Sequence, residues 1–496
     1  MKKFTLTILA GALLFGFGLQ NVSAGGNAAA SSTSSGAYKV TLAMITPGTI
    51  PDLALVQAEI NKHISAKGLE VELLPLSFAS YQDQINLMIS GGEKLDLIPV
   101  FNSTFNNDVA QGKLLPITQY LKTTGAPIAS VMGNEYLKAG TVSGEVYGIP
   151  SLRDMAASYG VCFRKDILEK YGFKVEDIKT VEDVGRVYET VSKGEPGMSM
   201  TYGQGNTLSI VAQLMVDWDN LGNDFGVLMN RGQNTPLRVV NLFDTPEYEQ
   251  KVRIARDWYQ KGYVLPDAST NSQGATTLVG AGQLFSFCSN LKPGFDMQSS
   301  LSAGGVEMVT ATINPALSTT GQVGVLSWAV PITCKNPEKT IEFLSLMFTD
   351  PVLINLIDWG IEGRHYVKLN NQVITYPAGV NSSNTGYNLN LAWIYGNSLL
   401  AYVWEGNAAN TNALMQEFNR SAIFSKGMGF QFDASPVRSA LSAVTNVAAE
   451  YRLGLEYGMV DVDSTLPRFR RALEDAGINQ IVAEKQRQLD AWIAGN

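Results

Sequence analysis

The chain has 496 residues, 45% hydrophobic and 17% charged, which fits an ordered, weakly charged globular protein with enough length for two or more cores. Its formal net charge is −8, with no basic cluster, which argues against nucleic acid and anionic membrane surfaces as partners. Three cysteines leave at least one thiol unpaired; Cys162, Cys288 and Cys334 are expected as small buried apolar residues, with a Cys162–Cys334 bridge left open.

Residues 1–24 have the form of an export signal. Lys2 and Lys3 form a basic start, residues 4–19 are apolar but glycine-broken, and Val22-Ser23-Ala24 is a small-residue cleavage motif before Gly25. Residues 25–37 are rich in Gly, Ala and Ser and are expected as a flexible linker.

From Tyr38 the pattern alternates between strand and helix. YKVTLAMI (38–45) reads as a strand, 51–65 as an amphipathic helix with Leu53, Val56 and Ile60 on one face, and 69–76 as a second strand. Residues 81–89 read as a helix and LDLIPV (95–100) as a third strand. A β-α-β-α-β order predicts parallel strands with right-handed crossovers and a ligand site beyond the strand C-termini, here near Thr46 and Asn102. Further on, a strand is expected at 237–243 and a helix at 245–261 with Thr245 as N-cap and Pro246 at N1. Residues 282–289 read as a strand that ends at Asn290.

The stretch GVLSWAVPITCKNPEKTIEFLSLMFTDPVLINLIDWGIEGRHY (324–366) organises the second half. A short apolar strand (323–332) leads to Asn336-Pro337-Glu338, an N-cap followed by proline at N1 and an acid at the positive helix end. Ile341, Leu344, Met347 and Phe348 share a face, and Asp350-Pro351 stops this helix and starts another. Residues 437–455 have the small-and-apolar pattern of a buried helix, and 466–493 form a broken amphipathic helix.

These motifs, with GEVYGIP (144–150), YGVCFRKDIL (159–168) and the C-terminal AGINQIVAEKQRQLDAW, resemble bacterial extracellular solute-binding proteins of the maltose-binding-protein-like sugar ABC transporter type. The resemblance extends to a lipoprotein-like subgroup with a C-terminal module of unknown function. It implies an α/β, two-lobe periplasmic-binding-protein-like (type II) fold with a hinge and an interlobe cleft. Lobe 1 is expected at 38–155 plus 330–395, and lobe 2 at 156–329 plus 396–496, the C-terminal helical module included. The subgroup usually carries a lipid-modified cysteine at the cleavage site; the first cysteine here is Cys162, so an exported, unanchored protein is expected.

No chemistry for catalysis stands out. The two histidines, His63 and His365, have no Cys or His neighbour at ligand spacing, and the sequence has no HExxH, GxSxG or P-loop motif. No metal and no cofactor are expected. What remains suits a polar ligand: aromatic faces for sugar C–H groups and planar polar side chains for hydroxyls. The ligand-binding set is Thr46 and Asn102 on lobe 1, Asn206 and Asn290 on lobe 2, Trp328 at a crossing, and Trp218, Trp393 and Trp404 for stacking. The implied function is capture of a mono- or oligosaccharide by a monomer and its delivery to ABC transporter permease subunits. A peptide or amino-acid binding protein and a secreted carbohydrate-active enzyme, the latter needing two cleft carboxylates, stay open as alternatives.

Overall fold

The computed structural model describes residues 36–203 and 207–495. The expected signal, nearly all of the linker, and Asn206 lie outside the described residues. The run YKVTLAMIT forms the strand Tyr38–Thr46, buried from Val40 to Thr46, as a nearly continuous apolar strand covered on both faces must be. It pairs in parallel with Leu69–Ser77. The helix Leu53–Ile64 between them buries Val56, Ile60 and Ile64. The third strand, Ile98–Phe101, departs from the all-parallel expectation. Leu42 keeps a parallel bridge to Leu97, but Ile98–Phe101 pairs antiparallel with Leu326–Ala329, which also pairs antiparallel with Gly148–Pro150. A strand returning late in the chain is thus inserted into this sheet.

That insertion corrects the expected boundary at 329. Val323, Leu326, Trp328 and Ala329 belong to the first apolar core, with residues 40–155, the helices Pro337–Thr349 and Pro351–Trp359, and Tyr387 to Ala401. Ala401 and Met428 also pack in this core, so the segment after 396 does not belong to the second lobe throughout. Both helices after Lys335 start as their sequence requires: the Asn336 side chain accepts from Lys339 N–H at 3.2 Å, and Asp350 from Val352 and Leu353 N–H at 2.9 and 3.2 Å.

The second core is built on the strand Ala157–Arg164, flanked antiparallel by Ser286–Leu291 and Met308–Ser318. Helices Val181–Gly194, Pro246–Gln260, Arg438–Glu456, Val462–Asp475 and Ile478–Gly495 contribute its apolar faces. Residues 237–243 form no strand; Asn241 Oδ1 takes the Phe243 N–H at 3.1 Å and turns the chain into the short 3-10 segment Leu242–Asp244, a side-chain bond that competes with a sheet ladder. The break in the C-terminal helix falls at Gly477, whose φ of 98° ends Val462–Asp475 in the left-handed region.

Three segments pass between the cores, and they meet at alanines. Ala156, Ala316 and Ala422 form a small cluster of their own against Phe418. Around it, Asn419 Oδ1 accepts from Met155 N–H at 2.8 Å, Asn419 Nδ2 donates to Arg153 O at 2.6 Å, and Ser318 Oγ donates to Met155 O at 2.9 Å. The strand Ile423–Phe424 runs parallel to Leu317 and Ser318. All three cysteines are free and buried, Cys162 and Cys288 in the second core and Cys334 in the first, so the Cys162–Cys334 bridge is not formed.

Candidate functional site

A cleft of about 700 Å³ opens beside the three-segment junction. The first side supplies Asn102, at the start of the helix Asn102–Ala110, with its N–H held by Val325 O at 3.1 Å. Thr319, Gly321 and Gln322 line the floor, next to the crossing segment. The second lobe supplies Tyr159 from the central strand, Gln213 from the helix Ile210–Leu214, the loop from Trp218 to Phe225, and one face of the helix Arg438–Glu456. That face presents Thr445, Ala448, Ala449, Arg452 and Glu456, which is helical spacing. Its alanines leave room where its arginine and glutamate bring charge.

The charges in the cleft wall are joined. Arg452 Nη2 lies 2.8 Å from Asp224 Oδ2, and Arg452 Nε donates to Glu456 Oε1 at 2.6 Å. Glu456 also accepts from Tyr248 OH at 3.2 Å and from the Ser209 hydroxyl. Asp224 Oδ1 accepts from Trp218 Nε1 at 3.0 Å. Burial opposes ionisation of Asp224, but the Arg452 charge and the Trp218 N–H outweigh it and hold the carboxyl below the usual range. Burial pushes the Tyr159 phenol up to about 12, and the nearby Asp224 adds to this, so Tyr159 meets a ligand as a neutral donor.

A larger hollow, about 880 Å³, lies between the helices Val181–Gly194 and Pro246–Gln260. It is a surface trough on the second lobe alone, and its charges pair with one another, as in Arg253–Glu249 at 2.9 Å and Lys261–Asp257 at 2.6 Å. The cleft at the junction is the candidate site because residues from both sides face it.

Of the residues expected to bind ligand, Asn102 and Trp218 line this cleft. Trp218 is only 3% exposed, with the Lys251 ammonium 5.3 Å from its ring, so most of the indole is packing. Trp328 is a correction: it is fully buried, its Nε1 donates to Ile394 O at 2.9 Å, and it packs on Tyr395 in the first core. Its strand is covered on both sides, which a short apolar run does not disclose. Thr46 is buried, with Oγ1 turned to Leu76 O at 3.4 Å. Asn290 donates its backbone N–H to Gln213 Oε1 at 2.9 Å and accepts the Ser289 hydroxyl at its backbone O at 2.8 Å, and it is Gln213 that reaches the cleft. Trp393 leans on the first core. Trp404 sits in the small sheet of Val367–Lys368, Val373–Thr375 and Val403–Trp404, edge-on to Trp359 at 5.6 Å. Glu362 and Arg364 are in separate ion pairs, with Lys368 at 2.8 Å and Asp52 at 2.7 Å. Tyr159, Gln213, Asp224, Arg452 and Glu456 were not singled out by the sequence; the only trace of the last two is a charged pair four apart on a face otherwise made of small residues.

Residues 48–352 match the family model of bacterial extracellular solute-binding proteins. The chain belongs to that family. Residues 426–494 match a separate domain of unknown function, which covers the helices Arg438–Glu456 and Val462–Asp475 and nearly all of Ile478–Gly495. A carbohydrate ABC transporter substrate-binding protein of Streptococcus pneumoniae is 23% identical over 472 residues, covering 92% of this chain and 91% of that one. Lipoprotein LipO of Bacillus subtilis is 24% identical over 239 residues, 46% of this chain and 45% of its own. Among solved structures, the N-glycan transport solute-binding protein of Streptococcus pneumoniae superposes with a TM-score of 0.78 at 21% identity, covering 92% of this chain and 99% of that one. That likeness shows the two-lobe α/β fold.

Proposed function

We propose that this protein captures an oligosaccharide in the junction cleft, outside the cytoplasm, and hands it to the permease of an ABC transporter. The observation that carries the reading is the composition of the cleft wall: Tyr159, Trp218 and Phe225 stand among Asn102, Gln213, Asn220 and Asp224. Aromatic bodies suit the C–H faces of a sugar, and fixed amide and carboxylate groups suit its hydroxyl rim. The carbohydrate ABC transporter substrate-binding protein and the N-glycan transport protein of Streptococcus pneumoniae support the same chemistry. The pneumococcal N-glycan transport protein is solved with Man1GlcNAc and with Man5GlcNAc.

The ion pairs disfavour the alternatives. A peptide or amino acid needs a free cation for its carboxylate, and Arg452 is already shared by Asp224 and Glu456. A glycosidase needs two free cleft carboxyls, and these two are held as acceptors by Arg452, Trp218, Tyr248 and Ser209. Ligand that touches both sides favours the closed arrangement of the lobes, and closure about the alanine junction is the signal a permease reads. The family's extracellular setting supports export, and a solute-binding role supports the absence of turnover.

Thermal unfolding with Man1GlcNAc and a panel of mono- and oligosaccharides tests this. A glycan at a hundred times its dissociation constant should add about 2.7 kcal/mol. Stabilisation by peptides or amino acids alone, or release of sugar products from a glycan, overturns it.

A further inference from the structure

The loop that carries Trp218 and Asp224 into the cleft is a chain of short turns. Leu221 N–H bonds Asp219 Oδ1 at 3.0 Å, Gly222 N–H bonds Asn220 Oδ1 at 3.1 Å, and Phe225 N–H bonds Asn223 Oδ1 at 3.1 Å. Leu221 and Gly222 take positive φ angles of 48° and 96°, which costs energy at the leucine unless something holds it. Turns that satisfy N–H groups internally leave carbonyls to be satisfied from elsewhere. Those carbonyls converge on one group. Lys485 Nζ, fully buried, donates to Asn220 O at 3.1 Å, Asn223 O at 2.8 Å, Asn223 Oδ1 at 3.1 Å and Gly226 O at 2.7 Å.

Lys485 comes from the helix Ile478–Gly495, inside the segment that matches a domain of unknown function. It stands on the helix's buried stripe with Ile478, Ile481 and Leu489, where the period calls for an apolar residue. Gly226 makes room for it: a Cβ there would lie 3.2 Å from Lys485 Cδ and 3.0 Å from Val239. Gln486 pins the same helix to the segment beside Gly226, accepting from Val239 N–H at 2.7 Å.

We infer that the Lys485 ammonium is a tethered cation that holds the loop from Asn220 to Gly226 in its ligand-ready shape, so that the C-terminal domain sets the affinity of the cleft from behind. Lys485 is a positioning residue: it touches the loop and acts through Trp218 and Asp224. Four oxygens at 2.7 to 3.1 Å are the surroundings of a bound cation; Asn220 O and Asn223 Oδ1 also take the Asn223 and Phe225 N–H groups, but an apolar side chain of the same length would remove the donor that Asn223 O and Gly226 O depend on. The effect on affinity rests on the proposed carbohydrate reading; the effect on the loop does not.

Amide hydrogen exchange without ligand is therefore the first test. In Lys485→Met the amides of Leu221, Asn223 and Phe225 should exchange at least about tenfold faster, through local opening, while those of Ile478 and Ile481 keep their protection. In Lys485→Ala, n-propylammonium chloride should restore the loop's protection, which a packing role cannot explain. The wild type gives a third readout should both variants fail to fold. Burial pushes the Lys485 ammonium down to about 7, against the pull of Asp224 and Asp219; these are the acids that face it. Arg452, from the neighbouring helix, is bound to Asp224, and Glu484 on its own helix to Arg487. Loop protection, corrected for intrinsic exchange, should fall as pH rises through about 7, where the amine loses its third N–H. Unchanged loop exchange in Lys485→Met, no rescue by the alkylammonium, or a flat wild-type profile overturns the inference. Binding is the last arm: Lys485→Met should weaken Man1GlcNAc at least about tenfold, about 1.4 kcal/mol, and unaltered affinity overturns the link to the cleft. Failure of the wild type to bind any sugar, with the loop responding as stated, sinks the carbohydrate reading and leaves the tethered cation standing.

Discussion

Each core encloses ionisable groups, and Asp358 in the first and Lys485 in the second are treated in opposite ways. In the first core Asp358, 1% exposed on the helix Pro351–Trp359, has no hydrogen-bond partner for either carboxylate oxygen among the described residues. Burial alone pushes its carboxyl well above the usual range, so it is buried as the neutral acid. In the second core Lys485 has four oxygens around it, and Glu456, equally buried, has Arg452, Tyr248 and Ser209. A buried polar group reports on function only through its partners. Asp358 hides its charge by discharging it; Lys485 and Glu456 keep theirs inside networks that end at the cleft wall.

The comparison breaks most visibly at the network's centre. Arg452→Met leaves Glu456 and Asp224 buried without their cation, and loss of one partner of a buried pair costs about 3–5 kcal/mol. Urea unfolding should show that loss, and sugar affinity should fall with it, because Asp224 and Trp218 are held from the same side. A loss below about 1 kcal/mol would place the trio with ordinary surface pairs.

The two tryptophans that the sequence could not tell apart come next. Trp328→Ala should cost about 3–5 kcal/mol by emptying the first core, with affinity intact in the protein that remains folded. Trp218→Ala should lose stability too, because the ring is 3% exposed, but it should also weaken sugar binding, because its Nε1 holds Asp224 at the cleft. Equal affinity in both variants would remove Trp218 from the site.

Both were expected in the ligand-binding set, Trp328 on a short apolar crossing strand and Trp218 for stacking. What separates them is tertiary: one strand is covered on both faces, and the other segment is a turn-rich loop backed by a lysine from more than 250 residues away in the chain. Local signals served well where the physics is local. The caps at Thr245, Asn336 and Asp350, the parallel start and the two helices after Lys335 are all set by residues within a few positions of one another. The cleft wall was hard to see because a helix that reads as small and apolar, Arg438–Glu456, serves the core with Ala440 and Val444 and the cleft with Ala449 and Arg452. Lys485 was hidden for the converse reason: a charged residue on an amphipathic helix reads as solvated, and only its position in the apolar stripe marks it as buried.

The first core offers the smaller tests. Asp358→Leu removes an unpartnered carboxyl and should stabilise the protein by about 1–3 kcal/mol in urea unfolding at neutral pH. The sign with pH follows from linkage. A carboxyl whose folded pKa is raised binds more protons folded than unfolded, so wild-type stability falls as pH rises above the unfolded range of about 4. The gain from Asp358→Leu should therefore grow from acid to neutral pH, and a gain that does not vary with pH would mean that the Asp358 carboxyl titrates in the folded protein as it does in the unfolded chain.

Nearby, Asp52 has the opposite sign and the smallest effect. Its carboxylate accepts from Arg364 Nε at 2.7 Å and from His365 Nε2 at 3.0 Å, tying the start of the first helix to the loop after Trp359. The Arg364 bond, then the His365 bond, hold its carboxyl down at about 2. A depressed folded value means that the contribution is complete above the unfolded value of about 3.9 and is lost as pH falls from there through about 2. Because the Arg364 side chain is 54% exposed, solvent screening leaves a contribution of about 0.5–1 kcal/mol. Asp52→Asn should lose that amount at neutral pH and show a shallower acid limb, with the two proteins converging near pH 2. Asp358 and Asp52 thus set opposite slopes on the two sides of about pH 4. A wild-type profile flat on both sides, with each single variant unchanged, would show that neither carboxyl is shifted by the surroundings described for it.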